Sequence, residues 1–264
     1  MKTLNEYIVE SLLDDFDALS KNTDKEIKQE IKQFLKDNFK GRYKISKTPN
    51  DDGKYVVDCN GDIDVKNKSI TSLVNDYFVW GVVGGDFDCD CCESLTSLNG
   101  APKEVVGNFY CHGCNSLTSL EGGPKKVGKD FNCSYCQSLT SLSGAPKEVM
   151  DFTCYNCNAL TKSLKGAPEK VTGWFDCSAC YFLTSLEGAP EEVGDSFFCQ
   201  FCEKITSLEG APKKVGRNFS CKWCEKLTSL KGAPKEVGGD FICEECDSLK
   251  SYDVDSNIKG SFLR

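Results

Sequence analysis

Eighteen cysteines and a single histidine bound the chemistry open to this 264-residue chain. Sixteen of the thiols fall in eight C-x-x-C pairs: Cys89 and Cys92, Cys111 and Cys114, Cys133 and Cys136, Cys154 and Cys157, Cys177 and Cys180, Cys199 and Cys202, Cys221 and Cys224, Cys243 and Cys246. Such a pair has the spacing of a zinc knuckle, and two pairs commonly complete one site, so all of these are candidate zinc ligands. The competing reading is core cysteine, a small hydrophobe with a weak donor. If the first Cys lies in a strand, residues i and i+3 are about 10 Å apart, beyond the roughly 7 Å limit for a disulfide and awkward for one metal. The expectation is therefore structural cysteine and no cofactor, with zinc as the alternative. A redox enzyme is disfavoured, because a thioredoxin-like C-x-x-C belongs near a βαβ pattern that this chain lacks. Cys59 and Cys91 stand outside the pairs, and Cys91 is expected to face solvent as the reactive thiol.

The lone His112 removes the commonest general base, so the chain reads as no enzyme. Asp+Glu 40 against Lys+Arg 32 gives a net charge of -8, which argues against a protein that neutralises phosphates, hence no nucleic acid. Glu6 and Glu10 break the apolar run that a secretory signal would need, and no window approaches the roughly eighteen apolar residues of a membrane helix. The expectation is a cytoplasmic protein with no membrane partner and with free thiols.

What must position the cysteines is a repeat. The first Cys of each pair recurs at intervals of 22, 22, 21, 23, 22, 22 and 22 residues within F-x-C-x-x-C-x-x-L-T-S-L-x-G-A-P-K-x-V-G. The short interval is followed at once by the long one, where Lys162 is inserted, so the register recovers. Phe-x-Cys alternates with period two and predicts a short strand with Phe and Cys inward. Gly-x-Pro then turns the chain, and a Val precedes the next strand. One copy has no room for a three-turn helix and cannot bury its apolar face alone, so Phe must stack on Phe, Cys on Cys and Leu on Leu. At about 4.8 Å per strand, eight copies span roughly 38 Å.

These residues resemble the leucine-rich repeats, whose strand segment runs L-x-x-L-x-L-x-x-(N or C)-x-L. Phe109 and Cys111 match the inward strand positions, Cys114 falls on the Asn/Cys position, and Leu-Thr-Ser-Leu followed by Pro is similar to the short bacterial subclass. The resemblance implies that the first thiol fills the core, that the second donates to backbone carbonyls of the turn, and that the exposed strand face binds a protein partner. It departs in using Phe and Cys for Leu and in having no helical half. Among the outward columns, Tyr110, His112, Tyr135, Tyr155, Trp174, Phe198, Phe201 and Trp223 are the expected partner-binding residues, because exposed aromatics make protein hot spots.

The fold class expected is a β-rich, leucine-rich-repeat-like solenoid of eight 21–23-residue repeats, preceded by a small helical pair and a β-hairpin cap. Residues 1–41 read as the helical module. Leu4, Ile8, Leu12, Leu13 and Phe16 share one face of a helix over 3–19, and Thr23 with Glu26 opens a second over 24–39. Residues 42–86 read as a hairpin around Asp51-Asp52-Gly53 and a degenerate first repeat, 87–252 as the solenoid, and 253–264 as a polar C-terminal cap. The first ten residues resemble the capsid-targeting leaders of large tailed phages, similar to M-K-T-x-x-E-(F/Y)-I-x-E, which implies cleavage after Glu10. A packaged internal virion protein, located inside a phage capsid, is thus a further alternative. Nothing in the sequence names the partner or the oligomeric state.

Overall fold

A computed structural model describes residues 24–39, 41–74 and 76–264. The expected helix over 3–19, the Thr23 cap and the leader-like segment up to Glu10 lie outside the described residues. Helix α1 (Asp24–Asn38) buries Ile31, Phe34 and Leu35, three positions on one face, and Phe34 meets Phe78 at 5.8 Å between ring centroids. The hairpin forms as expected: β1 (Tyr43–Ile45) pairs antiparallel with β2 (Tyr55–Cys59), Tyr43 opposite Cys59 and Ile45 opposite Val57.

From there the chain winds as a β-solenoid of about nine turns. The Phe-x segments form a ten-stranded sheet that is parallel throughout, from β3 (Ile63–Asp64) to Phe262–Leu263, in unbroken register, Phe on Phe. The degenerate copy supplies the first turn, with Ile63 and Val65 in the Phe and first-Cys columns and Ile70 and Leu73 in the Leu columns, all buried. The segment expected as a C-terminal cap continues the array instead. Asn257–Ile258 and Phe262–Leu263 add one more strand to each sheet.

A second sheet, which the repeat pattern did not announce, runs through the Val column. It begins at the hairpin, where β2 pairs in parallel with β4 (Phe78–Val83), and continues as two-residue strands such as Glu104–Val105 and Lys126–Val127. Each strand buries only its Val, so no alternation is visible in the sequence. This sheet is split into five and six strands, and the break falls between Lys126–Val127 and Glu148–Val149. The cause is the 21-residue interval: only two residues separate Val149 from Phe152, against three between Val127 and Phe131. Gly128 N–H donates to Val105 O, as the ladder requires, but Met150 N–H finds Lys129 O (2.9 Å), two residues beyond the equivalent Val127. The compensating Lys162 bulges to solvent, and Thr184 ties down the carbonyls of both Thr161 and Lys162.

The core between the sheets is a set of columns. Phe rings from Phe87 to Phe241 are fully buried and follow one another at 5.0–5.6 Å. Coils can stack this closely only if the turns carry no bulk. Gly144 sits at φ 98°, and a Cβ there would lie 2.2 Å from Leu120 O of the preceding coil. Among the described residues no helix is long and apolar enough to cross a membrane.

Candidate functional site: the outward face of the phenylalanine sheet

The two cysteine columns have distinct geometry. After the first Cys the strand ends and the chain turns, with the next residue but one in the left-handed region: Cys91, Gly113, Tyr135, Asn156, Ala179, Phe201, Trp223 and Glu245, at φ 55–68°. This turn brings the second Cys back into the core, which the extended-strand estimate of about 10 Å did not include. Each second thiol then donates to the carbonyl at the first-Cys position one coil earlier, Cys92 to Val65 O (3.2 Å), Cys114 to Cys89 O (3.2 Å), Cys136 to Cys111 O (3.1 Å) and Cys224 to Cys199 O (3.2 Å). First thiols point the other way, as Cys89 does to Tyr110 O (3.1 Å).

The thiols of the first column are shifted toward their protonated form. Burial pushes Cys111 and Cys177 well up, with the next coil's thiol adding to it. For Cys89 and Cys199 the hydrogen-bonded thiol of Cys114 or Cys224 leads and burial adds. Cys92 is pushed up to about 12 by burial. A protonated first-column thiol would have to lose its proton before it could bind a metal. Among the described residues no three His, Cys, Asp or Glu side chains converge on a cation position. Cys91 is exposed as expected, but partial burial and the carboxylate of Asp90 raise its pKa, which blunts the reactivity that exposure suggested.

Four columns make up the outward surface: the residue before each Phe, the one between Phe and the first Cys, and the two inside the C-x-x-C. The residue before each Phe forms a ladder in which a side-chain oxygen accepts the next coil's backbone N–H. Asp86 accepts from Asn108 (2.7 Å), Asn108 from Asp130 (3.2 Å), Ser196 from Asn218 (3.2 Å) and Asn218 from Asp240 (2.9 Å). Trp174 interrupts it. Its N–H donates to Asp151 (2.8 Å), but an indole offers the following coil no acceptor.

The expected partner-binding residues lie on this side of the molecule, though not all on strands. Tyr110 and Phe198 are strand residues and half-buried; burial, then the carboxylates of Asp86, Asp130, Asp88 and Asp90, raise the pKa of Tyr110. His112, Tyr135, Tyr155, Phe201 and Trp223 sit on the C-x-x-C turns. They form two clusters. His112 meets Tyr135 edge-on at 5.1 Å and Tyr135 meets Tyr155 at 5.4 Å, while Phe201 stacks on Trp223 at 4.5 Å with Lys222 over the indole at 4.5 Å. Tyr135, Trp174 and Trp223 are 42%, 44% and 37% exposed. Tyr181, within electrostatic reach of Tyr155, and Phe182, 52% exposed, escaped the sequence reading. Their signal was present: every other copy has at least one polar residue at these two positions. Compared with protein-family models, with curated proteins and with solved structures, the chain matches none.

Proposed function

We propose that the protein is a non-catalytic binding scaffold that presents the outward face of its phenylalanine sheet to a protein partner, in the manner of a leucine-rich repeat. The observation that carries this reading is backbone strain. A bulky residue in the left-handed region costs about 1 kcal/mol or more, and such positions cluster where function holds them. Gly113 shows that glycine fits the turn, yet Tyr135, Phe201 and Trp223 occupy the equivalent places and remain partly open to solvent. Trp174 adds a second cost, since it stands in a column of hydrogen-bond acceptors. Side chains retained against local preference on one surface are the raw material of a hot spot. The protonated first-column thiols fit a reducing compartment, and the reading places the protein in a cytoplasm, bacterial or phage-infected.

The test is covalent capture in lysate with a photo-crosslinker at Gln200, which follows Ser178 in the same outward column and is partly open to solvent, comparing the native face with a Tyr135→Ser, Trp174→Ser, Trp223→Ser variant. A discrete protein adduct lost in the variant, with unchanged thiol protection, supports the scaffold. Identical adducts from both would remove it.

A further inference from the structure

The charge on this molecule is not spread evenly. On the Val sheet, acid and base alternate coil by coil and pair, as in Glu148 with Lys170 and Glu236 with Lys214. On the outward face of the Phe sheet the columns contain Asp86, Asp88, Asp90, Asp130, Asp151, Asp176 and Asp240 but only one base, Lys222, already held by Glu244 at 2.6 Å. At the other end Lys66 is committed to Asp64 and Asp88. The middle of the face is acidic and without a cation of its own.

Asp176 lies at that middle. In the ladder it stands between Thr153 and Phe198, and it accepts the Ser178 N–H at 2.8 Å; no ion pair of the described residues involves it. The Tyr155 phenol lies within electrostatic reach of this carboxylate and of Tyr135 and Tyr181. In the same coil Ser178 and Ala179 are buried and small, whereas Trp174 and Phe182 stand out on either side. The result is a patch in which a partly exposed carboxylate lies among small buried residues and between exposed aromatic side chains.

We infer that this patch receives an arginine side chain of the partner protein, the guanidinium over the exposed aromatic rings and against Asp176. A ring face attracts a cation, and a planar guanidinium both stacks on rings and bonds a carboxylate, which an ammonium does less well. The net charge of -8 draws a basic segment to the face from a distance. The inference rests on the binding-face reading and gives its partner a chemistry.

The experiment is calorimetric titration of the whole protein with a blocked peptide of alternating arginine and glycine, with its citrulline counterpart as the uncharged control. Saturable binding is expected with arginine and at least ten-fold weaker binding with citrulline. Asp176→Asn, which keeps an acceptor for Ser178 N–H, is expected to weaken the arginine peptide ten-fold or more, and Trp174→Ala similarly. Lys170→Gln, on the other sheet, is expected to change nothing. Equal affinity for both peptides, or an Asp176→Asn protein that binds as before, would overturn the inference, as would preferential binding of a neutral oligosaccharide. If arginine is not recognised but crosslinked capture still depends on Tyr135 and Trp174, only the arginine assignment falls. Capture indifferent to those residues removes the binding face itself.

Discussion

At the residue scale the left-handed turn position separates stability from function. Glu245 sits at φ 56° as a non-aromatic member of this column, so Glu245→Gly relieves strain at the cost of a freer unfolded chain, and a gain of a few tenths to about 1 kcal/mol is expected in urea unfolding. Trp223→Gly relieves the same strain but gives up the stacked contact with Phe201, worth about 0.5–1.5 kcal/mol, so its stability should stay within about 1 kcal/mol of the parent while partner binding is lost. Phe219→Ala, four residues earlier in the same coil and fully buried, should instead cost about 3–5 kcal/mol. A Trp223→Gly protein as unstable as Phe219→Ala would make the indole a structural residue. The roles of the thiols came from the resemblance to leucine-rich repeats, since the C-x-x-C spacing by itself left zinc and core cysteine both open. The turn between them was not legible in the sequence, because seven of its eight left-handed positions hold residues other than glycine and so carry no local signature.

At the element scale the two sheets differ in what sets their register. The Phe sheet is aligned by its buried ring column. The Val strands are two residues long, and beside the Val they carry a residue that alternates in charge: Glu104, Lys126, Glu148, Lys170, Glu192, Lys214, Glu236. Like charges on neighbouring strands repel, so this alternation favours the stack as built over one offset by a coil. Lys170→Glu would set three carboxylates in a row. A loss of roughly 0.5–1 kcal/mol is expected, since exposed pairs are each worth about 0–1 kcal/mol, and most of it should vanish in 1 M salt. A loss independent of salt would mean that Lys170 acts by packing. The period of the repeat exposed the Phe sheet, whose Phe and Cys alternate. A strand with one inward residue has no period to read, so the Val sheet stayed hidden, as did the continuation of both sheets through 257–263, where polar neighbours suggested an end.

At the scale of the whole molecule each coil is supported only by its neighbours, so removing one complete 22-residue copy should leave a shorter folded protein, whereas removing eleven residues should not. The thiol columns make the same array sensitive to alkali. In the unfolded chain a cysteine ionises with a pKa of about 8.5, while in the fold Cys92 is held up to about 12 by burial, Cys243 likewise, and Cys111, Cys154 and Cys177 are raised well above the ordinary thiol range. A raised folded value means that the native state keeps protons that the unfolded state releases. The stabilisation is complete below about pH 8.5 and declines as pH rises from there toward the folded values near 12. Each such thiol lowers the unfolding free energy by about 1.4 kcal/mol per pH unit within that window. Because several thiols act together, urea midpoints should be nearly flat between pH 7 and 8 and fall steeply from pH 9 to 10. Replacing Cys111 and Cys177 by Ala should lower stability at pH 7 through lost packing and make the alkaline fall shallower. A parent protein with equal midpoints at pH 8 and pH 10 would show that these thiols are not held protonated by the fold.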